Sequence, residues 1–199
     1  TDREWIDIYY YLDGTRTRVK EVQTTSTGGF TVTFTVPESY TGVHEVRAQE
    51  SSIIYAYADF TVEPGLTVSP KKGPVGTNVI VEGHGFAEDE EDIELRYYLT
   101  GSNYTTIPTN IDANENGWWQ KSFAIPTSAK GSHKIDAEGD ESTLSQVKDA
   151  TFEVTPGISL DKSSGSPGEN ITMTGSGFAA NERDIKILFA GQAVATDIR

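Results

Sequence analysis

Residues 112–119, DANENGWW, combine oxygen-bearing side chains with two adjacent tryptophans, so metal binding and ligand stacking are both chemically open to them. The first six follow the D-x-[DN]-x-[DN]-G spacing with which an EF-hand calcium loop begins. That loop needs a bidentate carboxylate at its twelfth position, which here is Phe123, and helices on both sides. Asn116 and Gly117 between two strand-like runs indicate a hairpin instead, because both residues tolerate a positive φ. The sequence therefore predicts a hairpin turn.

The two tryptophans after this turn point to opposite faces if they begin a strand. Trp119 is in phase with Phe123, which predicts a core position. Trp118 then faces outward, as Tyr98 and Tyr11 do by the same alternation. These three residues are a candidate ligand-binding site, an aromatic platform for a glycan. The alternative is that they cover an open sheet face or pack at a joint between domains.

An acidic run at residues 88–92, EDEED, offers a second metal hypothesis. Carboxylate oxygens are the hard ligands that calcium prefers, which makes Asp89, Glu91 and Asp92 candidate calcium ligands. The alternative is a solvated loop, since runs of charge are usually exposed. Calcium is thus the one cofactor that the sequence suggests, and it is not required.

Catalytic chemistry has little support in the sequence. Of the three histidines, His44 and His133 are in phase with apolar residues of a strand pattern, which favours a structural role. There is no G-x-S-x-G elbow, no metal-binding histidine cluster and no phosphate-cradling loop. Cysteine is absent, which excludes thiol chemistry. We therefore expect a protein that is not an enzyme.

Composition limits the partners. The 199 residues carry 16 Lys plus Arg against 30 Asp plus Glu, a net charge of -14 that repels the phosphate backbone of nucleic acids. No run approaches the roughly 20 apolar residues of a transmembrane helix, so we expect no membrane insertion by this segment.

Internal repetition is the strongest signal in the sequence. Residues 73–87 and 165–179 share the pattern G-x-x-G-x-N-x-x-x-x-G-x-G-F-A, and 165 − 73 = 92. Residues 60–65 and 152–157 have the same separation, since 152 − 60 = 92. One repeat is therefore predicted to be about 92 residues long.

The beginning of the chain matches the later part of this repeat. Residues 6–14 parallel residues 93–101, with 93 − 6 = 87, and His44 parallels His133, with 133 − 44 = 89. The sequence thus predicts three domains. They are a partial repeat at 1–64, a complete repeat at 65–156, and a partial repeat at 157–199 that corresponds to the opening part.

Within a repeat the apolar residues alternate with polar ones, as in residues 30–36, FTVTFTV. This period of two is typical of strands, and no long segment shows a helical stripe. Seven strands are predicted in the complete repeat, near 66–69, 77–82, 92–99, 104–111, 118–125, 132–138 and 149–155. Seven short strands in this length indicate an all-β fold of tandem immunoglobulin-like β-sandwiches.

Residues 158–178, ISLDKSSGSPGENITMTGSGF, followed by residues 185–191, IKILFAG, resemble the opening of IPT/TIG domains. The G-x-H-x-(V/I)-x-A element at 42–48 and 131–137 is similar to immunoglobulin-like repeats of microbial surface proteins. The resemblance implies immunoglobulin-like sandwiches that serve as spacers or adhesive units in secreted and cell-surface proteins. Such modules also stand beside catalytic domains in polysaccharide-active enzymes, so the fold alone does not select the role.

From the repeats and the resemblance we expect a non-catalytic, extracellular or cell-surface array, acting as a stalk, a surface-layer component or an adhesion component. Its partners would then be cell-surface glycans or proteins. The alternative is a carbohydrate-binding or spacer module of a secreted polysaccharide-active enzyme.

The two partial repeats lead to one further expectation. Residues 1–64 lack the opening strands of the repeat and residues 157–199 lack the closing ones, so each should expose an apolar sheet face and unpaired strand edges. We therefore expect the N-terminal part of one molecule to dock with the C-terminal part of another copy by strand complementation.

Overall fold

The structure is a computed structural model that describes residues 4–108 and 110–198. Regular secondary structure in these two ranges is entirely β, so they hold no helix that could cross a membrane. The strands are β1 Trp5–Leu12, β2 Thr15–Gln23, β3 Gly42–Gln49, β4 Tyr55–Val62, β5 Gly65–Ser69, β6 Lys72–Gly73, β7 Asn78–His84, β8 Glu94–Thr100, β9 Asn103–Ile107, β10 Trp119–Ala124, β11 Gly131–Glu138, β12 Ala150–Val154, β13 Gly157–Leu160, β14 Met173–Ser176, β15 Ile185–Phe189 and β16 Gln192–Ile198.

The central part of the chain, residues 65–156, holds two sheets with strand orders β10-β7-β5 and β6-β12-β11-β8-β9. Alternation explains which residues face the core between them: Val79 and Val81 are fully buried, whereas Ile80 between them is exposed. Trp119 is buried too, at 2% exposure, as the sequence predicts. All seven predicted strands are present, and the all-β sandwich fold is confirmed; β6 is an additional short strand that pairs in parallel with β12.

The N-terminal part forms one sheet with the order β2-β1-β3-β4. Its register matches that of the larger central sheet. Ile8 lies opposite Ala48 as Leu95 lies opposite Ala137, with 95 − 8 = 87 and 137 − 48 = 89. The separations of 87 and 89 residues found in the sequence thus also relate the strand pairs of the N-terminal sheet to those of the larger central sheet.

The C-terminal part forms two separate strand pairs, β13-β14 and β15-β16. The first pair has the register of β5 and β7. Ile158 lies opposite Gly175 as Leu66 lies opposite Gly83, with both residues shifted by 92. This part of the chain therefore reproduces two strands of the smaller central sheet.

Residues 30–36 differ from the prediction, because their alternating pattern forms no strand. The equivalent central strand, β10, is held by hydrogen bonds to β7. Residues 4–29 contain no equivalent of β7, so residues 30–36 have no strand to pair with in the described ranges. Phe30, Val32 and Phe34 lie over the N-terminal sheet and line a cavity of about 290 Å³ together with Ile8.

The compact apolar core sits in the central part. Every member of the main buried cluster lies between Leu66 and Val154. Large exposed apolar side chains show the opposite distribution: among the described residues, the central part contributes only Ile80 and Tyr104. The others are Trp5, Phe30, Val43, Ile53, Ile54, Tyr55, Tyr57, Phe60, Ile158, Leu160, Ile171, Leu188, Phe189 and Val194.

Candidate functional site

The turn at residues 114–118 is built around Asn114. Its Oδ1 accepts hydrogen bonds from the amides of Asn116 and Trp118, both at 3.0 Å, and its own amide donates to Trp118 O at 2.9 Å. Gly117 has φ +70°, which a glycine adopts without strain. A tight turn is therefore present where the sequence predicted a hairpin, and the asparagine oxygen accepts hydrogen bonds from backbone amides.

This turn is not a hairpin, because the strands on its two sides belong to different sheets. β9 lies in the five-stranded sheet and β10 in the three-stranded one. Before the turn, Ala113 N donates to Glu90 O at 2.8 Å, so the chain pairs with the acidic loop rather than with β10. The turn carries the chain from one sheet of the sandwich to the other.

The turn also packs at a joint between the N-terminal and central parts. Phe86 N donates to Gly117 O at 3.0 Å, and Phe86 O accepts from the amide of Thr41 at 3.0 Å. A Cβ at Gly117 would clash with Phe86 O. We define the first joint as Thr41, Val62, Glu63, Gly85 and Phe86.

A second joint, between the central and C-terminal parts, is built in the same way. We define it as Lys130, Val154, Thr155, Gly177 and Phe178. Lys130 N donates to Phe178 O at 3.0 Å, the counterpart of the bond from Thr41 to Phe86, since 130 − 41 = 89 and 178 − 86 = 92.

Both joints need a glycine at the same place. A Cβ at Gly85 would lie 2.8 Å from Glu63 O and 2.9 Å from Val62 Cγ1. A Cβ at Gly177 would lie 2.7 Å from Thr155 O and 2.9 Å from Val154 Cγ1. Both glycines also have a positive φ, +69° and +66°. The close approach of backbone to backbone is therefore the same at the two joints.

One side-chain contact beside the first joint has no equivalent beside the second. His84 Nδ1 lies 2.9 Å from Glu38 Oε1, which connects β7 to the N-terminal part. The residue 92 positions later is Ser176, which cannot form an ion pair.

Trp118, Tyr98 and Tyr11 are not brought to one sheet. Tyr11 lies on β1, Tyr98 lies on β8, and Trp118 directly precedes β10. Cations cover two of the rings: Arg47 lies 4.5 Å from the ring centre of Tyr11, and Lys134 Nζ lies 4.2 Å from that of Tyr98. A glycan platform made by these three residues stays a prediction.

The cation over Tyr98 is held by carboxylates. Lys134 Nζ lies 2.7 Å from Asp136 Oδ2 and 3.4 Å from Asp149 Oδ2. Partial burial alone would lower the pKa of Lys134, but the hydrogen bond and charge of Asp136 outweigh burial and raise it. Burial and the charge of Asp136 raise the pKa of Asp149. The ring face of Tyr98 is thus part of a charged network within the protein.

Backbone conformation accounts for two of the aspartates in the acidic loop, residues 88–92. Asp89 and Asp92 have φ values of 51° and 55°, a region that aspartate and asparagine adopt more readily than most residues. The residues 92 positions later, Asn181 and Asp184, have φ values of 56° and 60°. Within residues 4–108 and 110–198, no three His, Cys, Asp or Glu side chains gather closely enough to hold a metal ion. Calcium binding by Asp89, Glu91 and Asp92 stays a prediction.

Glu90, in the middle of the acidic loop, is a structural residue that the sequence pattern concealed. It is buried, and its carboxylate accepts hydrogen bonds from the amides of Ala87, Glu141 and Ser142 and from Ser142 Oγ, at 2.6 to 3.1 Å. Burial alone would raise the pKa of Glu90, but the hydrogen bonds led by Ser142 outweigh burial and lower it. Repetition in the sequence could have revealed this role, because the residue 92 positions later, Glu182, is also a glutamate. Glu182 accepts a hydrogen bond from the amide of Ala179 at 2.8 Å, as Glu90 does from that of Ala87.

His44 and His133 are buried and stack on tyrosines. The ring centres of His44 and Tyr10 are 5.5 Å apart, and those of His133 and Tyr97 are 5.3 Å apart. Each histidine places Nε2 near the carbonyl oxygen four residues earlier, at 2.9 and 2.8 Å. These contacts give both histidines the structural environment that the strand pattern suggested.

Taken together, the described residues show repeated structural contacts at the two joints and charged networks on the sheet faces. No family model matches the chain, and no match was found among the curated proteins.

Proposed function

We propose that this chain is a non-catalytic, extracellular or cell-surface array of immunoglobulin-like repeats that acts as a semi-rigid stalk, surface-layer or adhesion component. The array consists of a complete repeat at 65–156 flanked by partial repeats at 1–64 and 157–199. The observation that carries the proposal is the duplication of the joint. The same amide-to-carbonyl bond and the same glycine contact occur on both sides of the central sandwich.

Such joints restrict bending. A flexible tether between domains has few contacts across it, whereas here a backbone hydrogen bond and a close backbone approach connect neighbouring parts. The connecting residues between β4 and β5 are only Glu63 and Pro64, and those between β12 and β13 are Thr155 and Pro156. A two-residue connection that contains proline leaves little freedom of rotation.

The exposed surface supports an extended arrangement. The chain exposes 12789 Å², whereas a compact monomer of 21.7 kDa exposes about 9,200 Å². Extra surface of this size is typical of several small bodies joined end to end. The resemblance of residues 158–178 to IPT/TIG domains supports the surface location, as does that of 42–48 and 131–137 to microbial surface repeats.

Amide exchange tests the proposal directly. If the joints are closed in solution, the amides of Thr41 and Lys130 exchange slowly, because each is hydrogen-bonded across a joint. The substitution Gly85→Ala should speed the exchange of Thr41 at least tenfold, since about 1.4 kcal/mol of lost joint stability raises the open population tenfold. Lys130, at the other joint, should keep its rate.

Gly76→Ala is the matched control. Gly76 has φ +82°, so alanine brings the same kind of backbone strain, but nothing lies within 4 Å of its Cβ position. The exchange of Thr41 should not change in this variant. If Thr41 and Lys130 exchange as fast as unstructured amides in the unaltered chain, the joints are open and the semi-rigid array is wrong. Small-angle scattering on the same samples should then show freely moving parts.

A further inference from the structure

We infer that the first joint responds to pH: when His84 takes up a proton, its hydrogen bond to Glu38 becomes an ion pair and holds the joint closed more tightly. The inference rests on the closed joints that the proposed function uses, and it adds a condition that changes the strength of one of them. The second joint has neither of these two side chains at the equivalent places and should not respond in this way.

Strand β7 places His84 at the edge of the first joint. His84 is the last residue of this strand and directly precedes Gly85, whose backbone approaches the carbonyl oxygen of Glu63. Gly83 is buried against the core, so alternation along the strand directs His84 outward. There it lines a cavity of about 380 Å³ together with Glu38 and Glu63.

The contact between the histidine and the glutamate allows a change of charge without a change of geometry. His84 Nδ1 lies 2.9 Å from Glu38 Oε1 and 3.1 Å from Glu38 Oε2. An ionised carboxylate only accepts hydrogen bonds, so Nδ1 carries a hydrogen already in the neutral imidazole. A further proton therefore binds at Nε2, and the same contact becomes a charge-assisted hydrogen bond, which is stronger.

This extra strength acts between two parts of the chain. Glu38 belongs to the N-terminal part and His84 to the central part, 46 positions later. Opening the first joint separates the two side chains, so a stronger contact between them lowers the population of the open joint. The His84 side chain is 35% exposed and that of Glu38 is 55% exposed, so water screens part of the attraction and the effect should be modest.

The other charges around His84 are mostly negative. Glu63 lines the same cavity, and Glu82 lies two residues earlier on the same face of β7. On the neighbouring strand β5, Gly65 lies opposite His84, and its other side pairs with the backbone of a cationic residue, Lys148. With the paired glutamate, three carboxylates and one ammonium surround the histidine, so an imidazolium at this place is attracted more than it is repelled.

The second joint offers a comparison within the same molecule. The equivalent of His84 is Ser176 and the equivalent of Glu38 is Thr127, since 176 − 84 = 92 and 127 − 38 = 89. Neither a serine nor a threonine side chain changes its charge near neutral pH. The second joint therefore keeps the backbone contacts without the titrating pair.

The two buried histidines do not disturb this comparison. His44 Nε2 lies 2.9 Å from the carbonyl oxygen directly before Thr41, and His133 Nε2 lies 2.8 Å from the carbonyl oxygen directly before Lys130. Any effect of these histidines on the neighbouring amide should therefore be similar at the two joints. A difference between the amides of Thr41 and Lys130 then reports on His84.

Amide exchange at two pH values tests the inference. The amide of Thr41 donates to Phe86 O across the first joint, and that of Lys130 is its counterpart at the second. Each rate is divided by the intrinsic rate of an unstructured amide at the same pH. From about pH 7.5 to about pH 5.5, a range that spans the titration of imidazole but lies above that of carboxylates, the protection of Thr41 should rise about two- to fivefold relative to Lys130.

Two matched variants identify the groups responsible. Glu38→Gln keeps a hydrogen-bond acceptor without the charge, and His84→Gln keeps a polar side chain that does not titrate. In both, the ratio of Thr41 to Lys130 protection should stay constant with pH. Salt at about 1 M should also reduce the response of the unaltered chain, since it screens a partly exposed ion pair.

A transplant of the pair gives the converse test. The double substitution Thr127→Glu and Ser176→His places the two side chains at the second joint, and the amide of Lys130 should then gain the same dependence on pH. This readout needs no loss of stability at the first joint.

The possible outcomes separate this inference from the proposed function. If Thr41 is protected but its ratio to Lys130 does not change with pH, the joint is closed and the inference alone is wrong. If Thr41 is unprotected at both pH values, the inference and the semi-rigid array are both wrong. A response that persists unchanged in Glu38→Gln and His84→Gln would also overturn the inference, because another group would then be its source.

Discussion

The buried carboxylate of Glu90 offers the sharpest test of how the central sandwich is stabilised. Replacing it with alanine leaves the amides of Ala87 and Ser142 and the Ser142 hydroxyl without their acceptor, and both of these residues are buried. An unsatisfied buried polar group costs about 1–3 kcal/mol. The amide of Glu141 is at an exposed residue and can turn to water.

Glu90→Ala should therefore lower the free energy of unfolding by about 3–5 kcal/mol, which is large beside the roughly 1 kcal/mol of a typical substitution. Glu90→Gln keeps one acceptor oxygen but turns an NH₂ group towards the amide of Ala87. Its cost should be smaller, about 2–3 kcal/mol, since hydrogen bonds to a charged group are stronger than those to a neutral one. Urea unfolding followed by tryptophan fluorescence measures both values.

Acid gives a second measurement on the same variants. The folded-state pKa of Glu90 lies below its ordinary value of 4.5, so its contribution is fully present above that pH and is lost as the pH falls through the folded pKa. The stability difference between the unaltered chain and Glu90→Gln should therefore shrink below about pH 4.5.

Glu91→Gln is the control, because Glu91 is the exposed neighbour and undergoes the same chemical change. Its effect should stay within about 0.5 kcal/mol. The structural role of Glu90 is refuted if Glu90→Gln is as mild as Glu91→Gln, or if the difference grows rather than shrinks in acid.

Three further predictions concern the packing. Tyr97→Phe and Tyr10→Phe should each lower the free energy of unfolding by urea by about 1 kcal/mol. Each variant loses the hydrogen bond between the tyrosine hydroxyl and a serine hydroxyl, at 3.0 Å for Tyr97 and 2.7 Å for Tyr10. Clearly unequal losses would show that the two sites differ. Trp119→Ala should lower the free energy of unfolding by about 3–5 kcal/mol. Trp119→Phe should lower it by less than about 1.5 kcal/mol, because phenylalanine keeps an aromatic ring there and removes a buried indole N–H that has no partner among the described residues. Gly83→Ala should lower the free energy of unfolding by about 1–3 kcal/mol or more, because its Cβ would clash with the Trp119 ring. In a double-mutant cycle, Trp119→Ala should reduce the destabilisation caused by Gly83→Ala, since it removes that ring.

Much of the fold could be predicted from the sequence, because period-two alternation and residue separation carry it. Val79 and Val81 face the core as their pattern indicates, and the separations of 87, 89 and 92 reappear in the strand registers. Residues 30–36 show the limit of this reasoning. Their pattern is as strand-like as that of β10, but a strand also needs a hydrogen-bonding partner, and a local pattern cannot supply one.

The candidate site was less accessible to sequence reasoning. A charge run is usually a solvated surface, so the burial of Glu90 beside exposed Glu91 is invisible without the amides of residues 141 and 142, which are distant in sequence. The Asn116-Gly117 pair predicted its turn correctly but not the sheets on either side, because turn chemistry is local and sheet membership is not. Gly85 and Gly177 were visible as repeated glycines, yet their purpose needed the carbonyl oxygens that approach them.

The duplicated joint has a geometrical consequence. Two neighbouring bodies related by the same contacts are related by the same rotation and translation, and repeating one such step generates a regular screw. Side chains at equivalent positions, such as Tyr11 and Tyr98, then recur at a constant rise and a constant angle around the axis. In the proposed repeat array, a surface feature of one repeat would therefore recur along the axis as a periodic track, and the backbone bond and the glycine contact found at both joints would help to set its spacing.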